Sequence, residues 1–201
     1  MKLPLPGQEL VALIVAVSFA AGLNVYATVA TLGLLARGAV LTLPDTLHPL
    51  TSWWVIGGSG ALFTVEFFAD KIPAFDLLWN ALHTFIRVPV AGLLAWRATA
   101  SLTPQEQLAA TVLGGLIALA AHGGKTAVRA AVTPSPEPFS NAGLSLGEDV
   151  VAISLTWLAT RHPFLAATIA VVFVAIIVLL VRWVWRALRR LFRGAEHVLQ
   201  T

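Results

Sequence analysis

The sequence predicts an all-α integral membrane protein, a polytopic transmembrane helical bundle of about six spans, and three observations carry that expectation. Of 201 residues, 58% are hydrophobic and 11% charged, with a mean hydropathy of +0.83. Soluble domains carry about 25% charged residues, so this chain has too few charges for a water-facing surface, whereas a lipid-facing one needs none. Its apolar residues gather in runs near the ~20 residues that cross the hydrocarbon layer at about 1.5 Å each. Five of thirteen basic residues, Arg182, Arg186, Arg189, Arg190 and Arg193, cluster just after the last apolar run.

That cluster accounts for much of the net charge of +3 and the pI near 10. At the end of an apolar run it reads as an anchor at an anionic membrane surface, where each basic residue contributes roughly 1 kcal/mol, and not as a nucleic-acid patch. Membrane lipids are thus expected partners and nucleic acid is not. Cysteine is absent, which excludes disulfides, thiolate metal sites and cysteine nucleophiles. The length allows one helical domain, residues 1–185, followed by a basic amphipathic cytoplasmic tail, 186–201.

The first span is Leu10 to Ala36, longer than a cleaved leader's apolar core and interrupted at Gly22 and Asn24, which predicts a tilted or kinked helix. Arg37 to Ser52, with Gly38, Pro44 and Pro49, reads as a loop. Trp53 to Phe68 is the second span, opened by an interfacial Trp53-Trp54 pair and stopped by Pro73. The third runs from about Ala74 to Trp96. Thr103 before Pro104 and Glu106 forms an N-cap for the fourth, Gln107 to about Val132, whose Ala and Gly permit close helix packing. Three prolines in Thr133 to Pro138 break the helix. The fifth, from about Gly147 to Thr160, is short for a crossing, and Phe164 to Val181 is the sixth.

Six crossings place both termini on one side. On that side fall Lys2, Lys71, Lys125, Arg129 and the five tail arginines, against Arg37, Arg97 and Arg161 on the other. Nine basic residues against three predict an inner-membrane, multi-pass protein with both termini cytoplasmic, the tail carrying most of the asymmetry.

Ionisable residues at membrane depth face a cavity or a partner. Asp76, Asn80, His83 and Arg87, at i, i+4, i+7 and i+11, form one stripe on the third helix. Glu66 and Asp70, one turn apart with Lys71 beside them, disfavour joint ionisation if buried, which suits proton coupling or cation binding; alternatively Lys71 neutralises Asp70 at the headgroups. His122, Lys125 and Arg129 make a basic stripe at i, i+3 and i+7. Beyond the prolines, Asn141 to Gly147 supplies small and capping residues before a helix whose N-terminus favours an anion, although Glu148 and Asp149 compete for its dipole. The same three groups also read as a structural ion-pair network, because their charges nearly balance. Ala21-Gly22-Leu23-Asn24 and Ala142-Gly143-Leu144-Ser145 hint at a repeat, with Asn24 in the position of a broken-helix site.

Gly22 to Tyr26, Ala69-Asp70-Lys71-Ile72-Pro73, Asp76 through His83-Thr84 to Arg87, His122 to Arg129 and Asn141 to Asp149 together resemble a bacterial membrane family known only as a domain of unknown function (4126). The resemblance runs from about Ser18 to the sixth helix. It implies a six-helix membrane bundle in which these polar residues belong together, and it supplies no reaction.

The expected function is a small membrane transporter or channel, proton- or cation-coupled, for a small or anionic substrate, working as a homodimer without a cofactor. Glu66 and Asp70 would carry the ion, His83 relay it, and Lys125 and Arg129 attract the anionic group. One alternative is a scaffold or assembly protein whose polar stripes mate with a partner. A second is an enzyme acting on a lipid or lipid-linked phosphate; the chain shows no nucleophile elbow and no His-Glu-x-x-His zinc motif, so a non-enzymatic role is favoured and no metal is expected.

Overall fold

A computed structural model describes the backbone of residues 7–132 and 138–198, and the side chains within them except at 73–77, 130–132, 138–141, 187–188 and 190–198. Every described element is helical: α1 (Gly7–Leu23), α2 (Val25–Arg37), a 3-10 helix (Asp45–Thr51), α3 (Trp53–Ala69), α4 (Pro73–Ala98), α5 (Pro104–Val132), α6 (Pro138–Arg161) and α7 (Pro163–Val198). Four helices begin on proline, where the absent N–H costs nothing and the fixed φ is already helical.

Among the described residues three segments are long and apolar enough to cross a membrane, Pro104–Arg129, Ala142–Arg161 and Pro163–Arg186, which marks a membrane protein. The outer surface agrees. Trp54 and Phe85 are 91% and 80% exposed, and most apolar side chains of α7 from Phe164 to Trp185 point outward, an arrangement suited to lipid and not to water. By contrast α1 is buried on nearly every side from Ala12 to Leu23 and forms the core of the bundle.

Small residues set how closely the helices approach α1. Gly114 of α5 lies against Ser18 and against Ala91 and Ala95 of α4, and Gly22 lies against Ala118 and Ala121. Such contacts let backbones meet where apolar burial cannot drive association. They also give direction. Gly92 faces Thr111, Val88 faces Gly115 and Thr84 meets His122, so α4 and α5 are antiparallel. Ser18 at Gly114, Gly22 at Ala118 and the Leu23 carbonyl at Lys125 make α1 parallel to α5.

The expected single first span is two helices that reverse direction. Asn24 alone is non-helical between them, extended at φ −148° and ψ 102°. Its side-chain Oδ1 accepts from the Ala27 N–H at 2.9 Å and caps α2. From there α2 runs back: Gly33 packs on Leu50 of the 3-10 helix, whose Thr46 hydroxyl donates to the Arg97 carbonyl at the far end of α4. The 17 residues of α1 reach about 25 Å, short of the ~30 Å hydrocarbon layer. A capping asparagine followed by a fresh apolar run looks the same in sequence whether the chain kinks or turns back; packing against α5 and α6 decides it.

Other expectations are corrected or sharpened. α6 begins at Pro138, not near Gly147, and its 24 residues are not short; Ser140 to Gly147 is helix and not a turn, since Pro138 starts the first turn without an N–H to lose. The segment 133–137 lies outside the described residues. α7 continues unbroken past residue 185 to Val198. Phe19 stacks on Phe173 and Gly124 meets Ile177, making α7 parallel to α1 and α5. Gly7 and the end of α7 therefore lie at opposite ends of the bundle, not on one side as expected, because the α1–α2 hairpin adds a reversal.

Thr103 and Glu106 form the expected start of α5. The Thr103 N–H donates to Glu106 Oε2 at 3.0 Å while the Thr103 hydroxyl accepts from the Glu106 N–H at 3.4 Å, a reciprocal capping box. Thr103→Ala is expected to lower the thermal unfolding midpoint in detergent modestly, with less effect than the core substitutions considered below; no change would mean that lipid contacts alone hold this end.

Candidate functional site

The polar stripes of α3, α4, α5 and α6 meet around the tip of the α1–α2 hairpin. The basic stripe of α5 is the spine. Near its start His122 contacts α4; Lys125 and Arg129, one and two turns on, face carboxylates from α3 and α6. All three are buried, as the i, i+3, i+7 spacing allows when one helix face turns inward.

Arg87 of α4 pairs with Glu66 of α3, both fully buried. Its Nη1 donates to His122 Nδ1 at 2.9 Å. A guanidinium only donates, so His122 Nδ1 accepts and its proton sits on Nε2, 3.0 Å from the Asn80 carbonyl and 2.8 Å from the Thr84 hydroxyl. Asn80 Oδ1 lies 3.5 Å from Arg87 Nη1. Thus Asn80, Thr84 and Arg87 of α4 and His122, the first residue of the α5 stripe, form one hydrogen-bonded unit.

Lys125 bridges three carboxylates, Glu148 at 3.1 Å, Asp70 at 3.3 Å and Glu66 at 3.6 Å. Arg129 grips Glu148 through Nε at 3.3 Å and Nη2 at 2.6 Å, and its Nη2 also reaches Asp70 Oδ2 at 2.9 Å. The two-point contact fixes orientation as well as charge. Ser145 adds a hydroxyl to Asp70 Oδ2 at 3.4 Å. The last carboxylate, Asp149, takes the Asn24 amide at 2.8 Å.

Among the described residues four carboxylates, Glu66, Asp70, Glu148 and Asp149, therefore gather with three cations, Arg87, Lys125 and Arg129. Burial of such a set is costly unless every lone pair is used. Here it is not: Glu66 Oε2, Asp70 Oδ1 and Asp149 Oδ2 are buried without a hydrogen-bond partner among the described residues. Three half-satisfied carboxylates around one helix break have the chemistry of a proton site. Among the described residues no three His, Asp or Glu side chains are placed to hold a metal ion.

The remaining expected residues fall elsewhere. Lys71 does not neutralise Asp70; its ammonium donates to the Phe67 carbonyl at 2.7 Å and sits 3.1 Å over the Phe67 ring, leaving Asp70 to Lys125 and Arg129. His83 lies on the flank: its Nδ1 donates to the Trp79 carbonyl at 2.7 Å, so Nε2 accepts from the Tyr26 hydroxyl at 3.0 Å. The side chains of Asp76 and Asn141 lie outside the described residues. Tyr26, Thr84 and Ser145 carry no site role in the reading of the sequence. Tyr26 and Thr84 do fall in the segments that resemble the family and Ser145 in the repeat hint, and Tyr26 is the chain's one tyrosine, two residues after Asn24. A groove between α2 and α6, lined by Thr31, Leu34, Leu35, Ile153, Trp157 and Leu158, is apolar and does not include these residues.

Residues 11–183 match the model of a family described as Domain of unknown function (DUF4126), and the chain belongs to that family. No curated protein and no solved structure matches it.

Proposed function

We propose that this member of the DUF4126 family is a small proton-coupled transporter whose ion site is the buried cluster at the hairpin tip. The observation that carries the reading is the three buried carboxylates, each with one oxygen that no described residue satisfies. A proton on such an oxygen removes a buried charge and displaces no hydrogen bond from a described residue. The hairpin supports the same reading. Irregular backbone at membrane depth is tolerated where protein surrounds it, and broken helices are where transporters place ions; Asn24 is fully buried.

The expected anionic substrate draws less support, since Lys125 and Arg129 are held by carboxylates and residues 142–147 are helix. For the same reason the lipid-phosphate enzyme reading gains nothing. A scaffold remains the second reading, but with Arg87, Lys125 and Arg129 paired within the chain its polar stripes have less to offer a partner. As for orientation, Lys71 and the α7 arginines lie at the cluster end, opposed by Arg37, Arg97 and Arg161 at the other. The positive-inside rule then places the cluster end of an inner-membrane protein toward the cytoplasm and the start of α1 outside.

Reconstitution in liposomes carrying a trapped pH-sensitive dye tests this. An imposed pH gradient should collapse faster than in empty vesicles, and Glu66→Gln should return the rate toward that of empty vesicles. Wild-type protein indistinguishable from empty vesicles would leave the scaffold reading.

A further inference from the structure

We infer that Asp149 is the residue of the cluster that binds the exchangeable proton, and that Asn24 passes its charge state to the α1–α2 hairpin. The inference rests on the proton-coupled reading above and assigns its ion site to one side chain.

The four buried or half-buried carboxylates are not equivalent. Glu66 has Arg87 and Lys125, Asp70 has Lys125 and Arg129, and Glu148 has the same two. Protonating Glu66 would take the carboxylate from Arg87, and protonating Asp70 or Glu148 would take an ion-pair partner from both Lys125 and Arg129. Among the described residues no cation lies within ion-pair distance of Asp149, which is 3% exposed. Among the described side chains, with these four acids ionised, the cluster has four negative charges to three positive. One proton on Asp149 removes the excess among them without breaking a described ion pair, and its Oδ2 has no described partner to be displaced.

The surroundings of Asp149 can be followed element by element. From α5 it is faced by Lys125 and from α3 by Glu66 and Asp70, while Glu148, the preceding residue on its own helix, turns to Lys125 and Arg129. Arg87 of α4 and Arg129 of α5 are committed to Glu66 and Glu148. The hairpin presents the neutral Asn24, with Tyr26 turned to His83. Two of the nearest charges thus repel a negative Asp149, and the one that attracts it is shared among three other acids.

Asn24 is placed to read the outcome because its two amide atoms do different work. Oδ1 caps α2 through the Ala27 N–H, and Nδ2 donates to Asp149 Oδ1 at 2.8 Å. Fixing one end of the amide fixes the other. While Asp149 is ionised the bond is charge-assisted, roughly twice as strong as a neutral one, and it ties the only non-helical residue between α1 and α2 to α6. When a proton adds to Oδ2, the O–H bond formed leaves a neutral acid, the tie weakens, and the tip is freer to move.

The chain has no cysteine, so a thiol placed at the tip reports alone. Val25→Cys, buried beside Asn24, is reacted with N-ethylmaleimide in detergent across a pH series, each rate divided by that of the same protein unfolded in dodecyl sulfate. The normalised rate should rise as pH falls. Adding Asp149→Asn should hold it at the high level throughout, and Asp149→Glu in its place should restore a pH dependence with a shifted midpoint, which separates titration from misfolding. A pH-independent rate in Val25→Cys alone, or an unchanged pH dependence with Asp149→Asn, overturns the inference. So does a rate that follows sodium at constant pH. Because this reading needs no flux, a responsive thiol in a protein that carries no protons would refute the transport proposal and leave the proton site standing.

Discussion

Arg87→Met is expected to destabilise the protein by about 3–5 kcal/mol, the usual cost of removing one partner of a buried ion pair. The guanidinium is fully buried, pairs with Glu66, donates to His122 and touches the carbonyl of Gly22 next to the hairpin tip. Without it, among the described residues, Glu66 retains only the shared Lys125, at 3.6 Å. The measurement is thermal or denaturant unfolding in a mild detergent, followed by the fluorescence of the seven tryptophans. Adding Glu66→Gln should recover part of the loss, since the stranded charge is then gone. A double variant as unstable as the sum of the two single ones would mean the residues are not coupled, and the pairing would be wrong.

Gly22→Val comes next in expected effect. A Cβ at Gly22 would stand 2.5 Å from the Ala118 carbonyl oxygen and 2.8 Å from its Cα. Both are backbone atoms of α5, so relief requires moving a helix and not rotating a side chain. Overpacking of a tight core costs typically ~1–3 kcal/mol and sometimes more, and here the displaced helix carries Lys125 and Arg129. Loss of stability in the unfolding assay should therefore come with loss of proton flux. Gly124→Ala is the control, because its close neighbours are side-chain atoms of Ile177 at 2.6 and 2.8 Å, which can rotate. If Gly22→Val and Gly124→Ala cost the same, close approach of α1 to α5 is not what limits position 22.

Much of the fold was legible because lipid imposes a simple rule on sequence. Elements bounded by proline or tryptophan, α3 at Trp53 and α4 at Pro73, came within a few residues of their observed limits, and the Thr103–Glu106 cap was visible from spacing alone. The errors share a cause. At Asn24 and at Ser140 to Gly147 the local residues allow helix or turn, and local chemistry favours neither strongly. Burial of α1 against four helices decides the first; continuity of α6 from Pro138 decides the second.

The site divides in the same way. Periodicity alone placed Asn80, His83 and Arg87 on one face of α4 and His122, Lys125 and Arg129 on one face of α5, since a helix repeats every ~3.6 residues whatever surrounds it. Composition alone required a membrane, because so few charges cannot cover a surface in water. Partner choice was beyond both. Asn24 and Asp149 are 125 residues apart and Lys125 and Asp70 are 55, so which acid meets which base depends on how helices cross. Only the tertiary structure could show that Lys71 turns to Phe67, that Asp149 has no ion-pair partner among the described residues, and that the first apolar run folds back on itself. A charge in a low-dielectric interior takes the partner that packing brings within reach, and sequence separation says nothing about that distance.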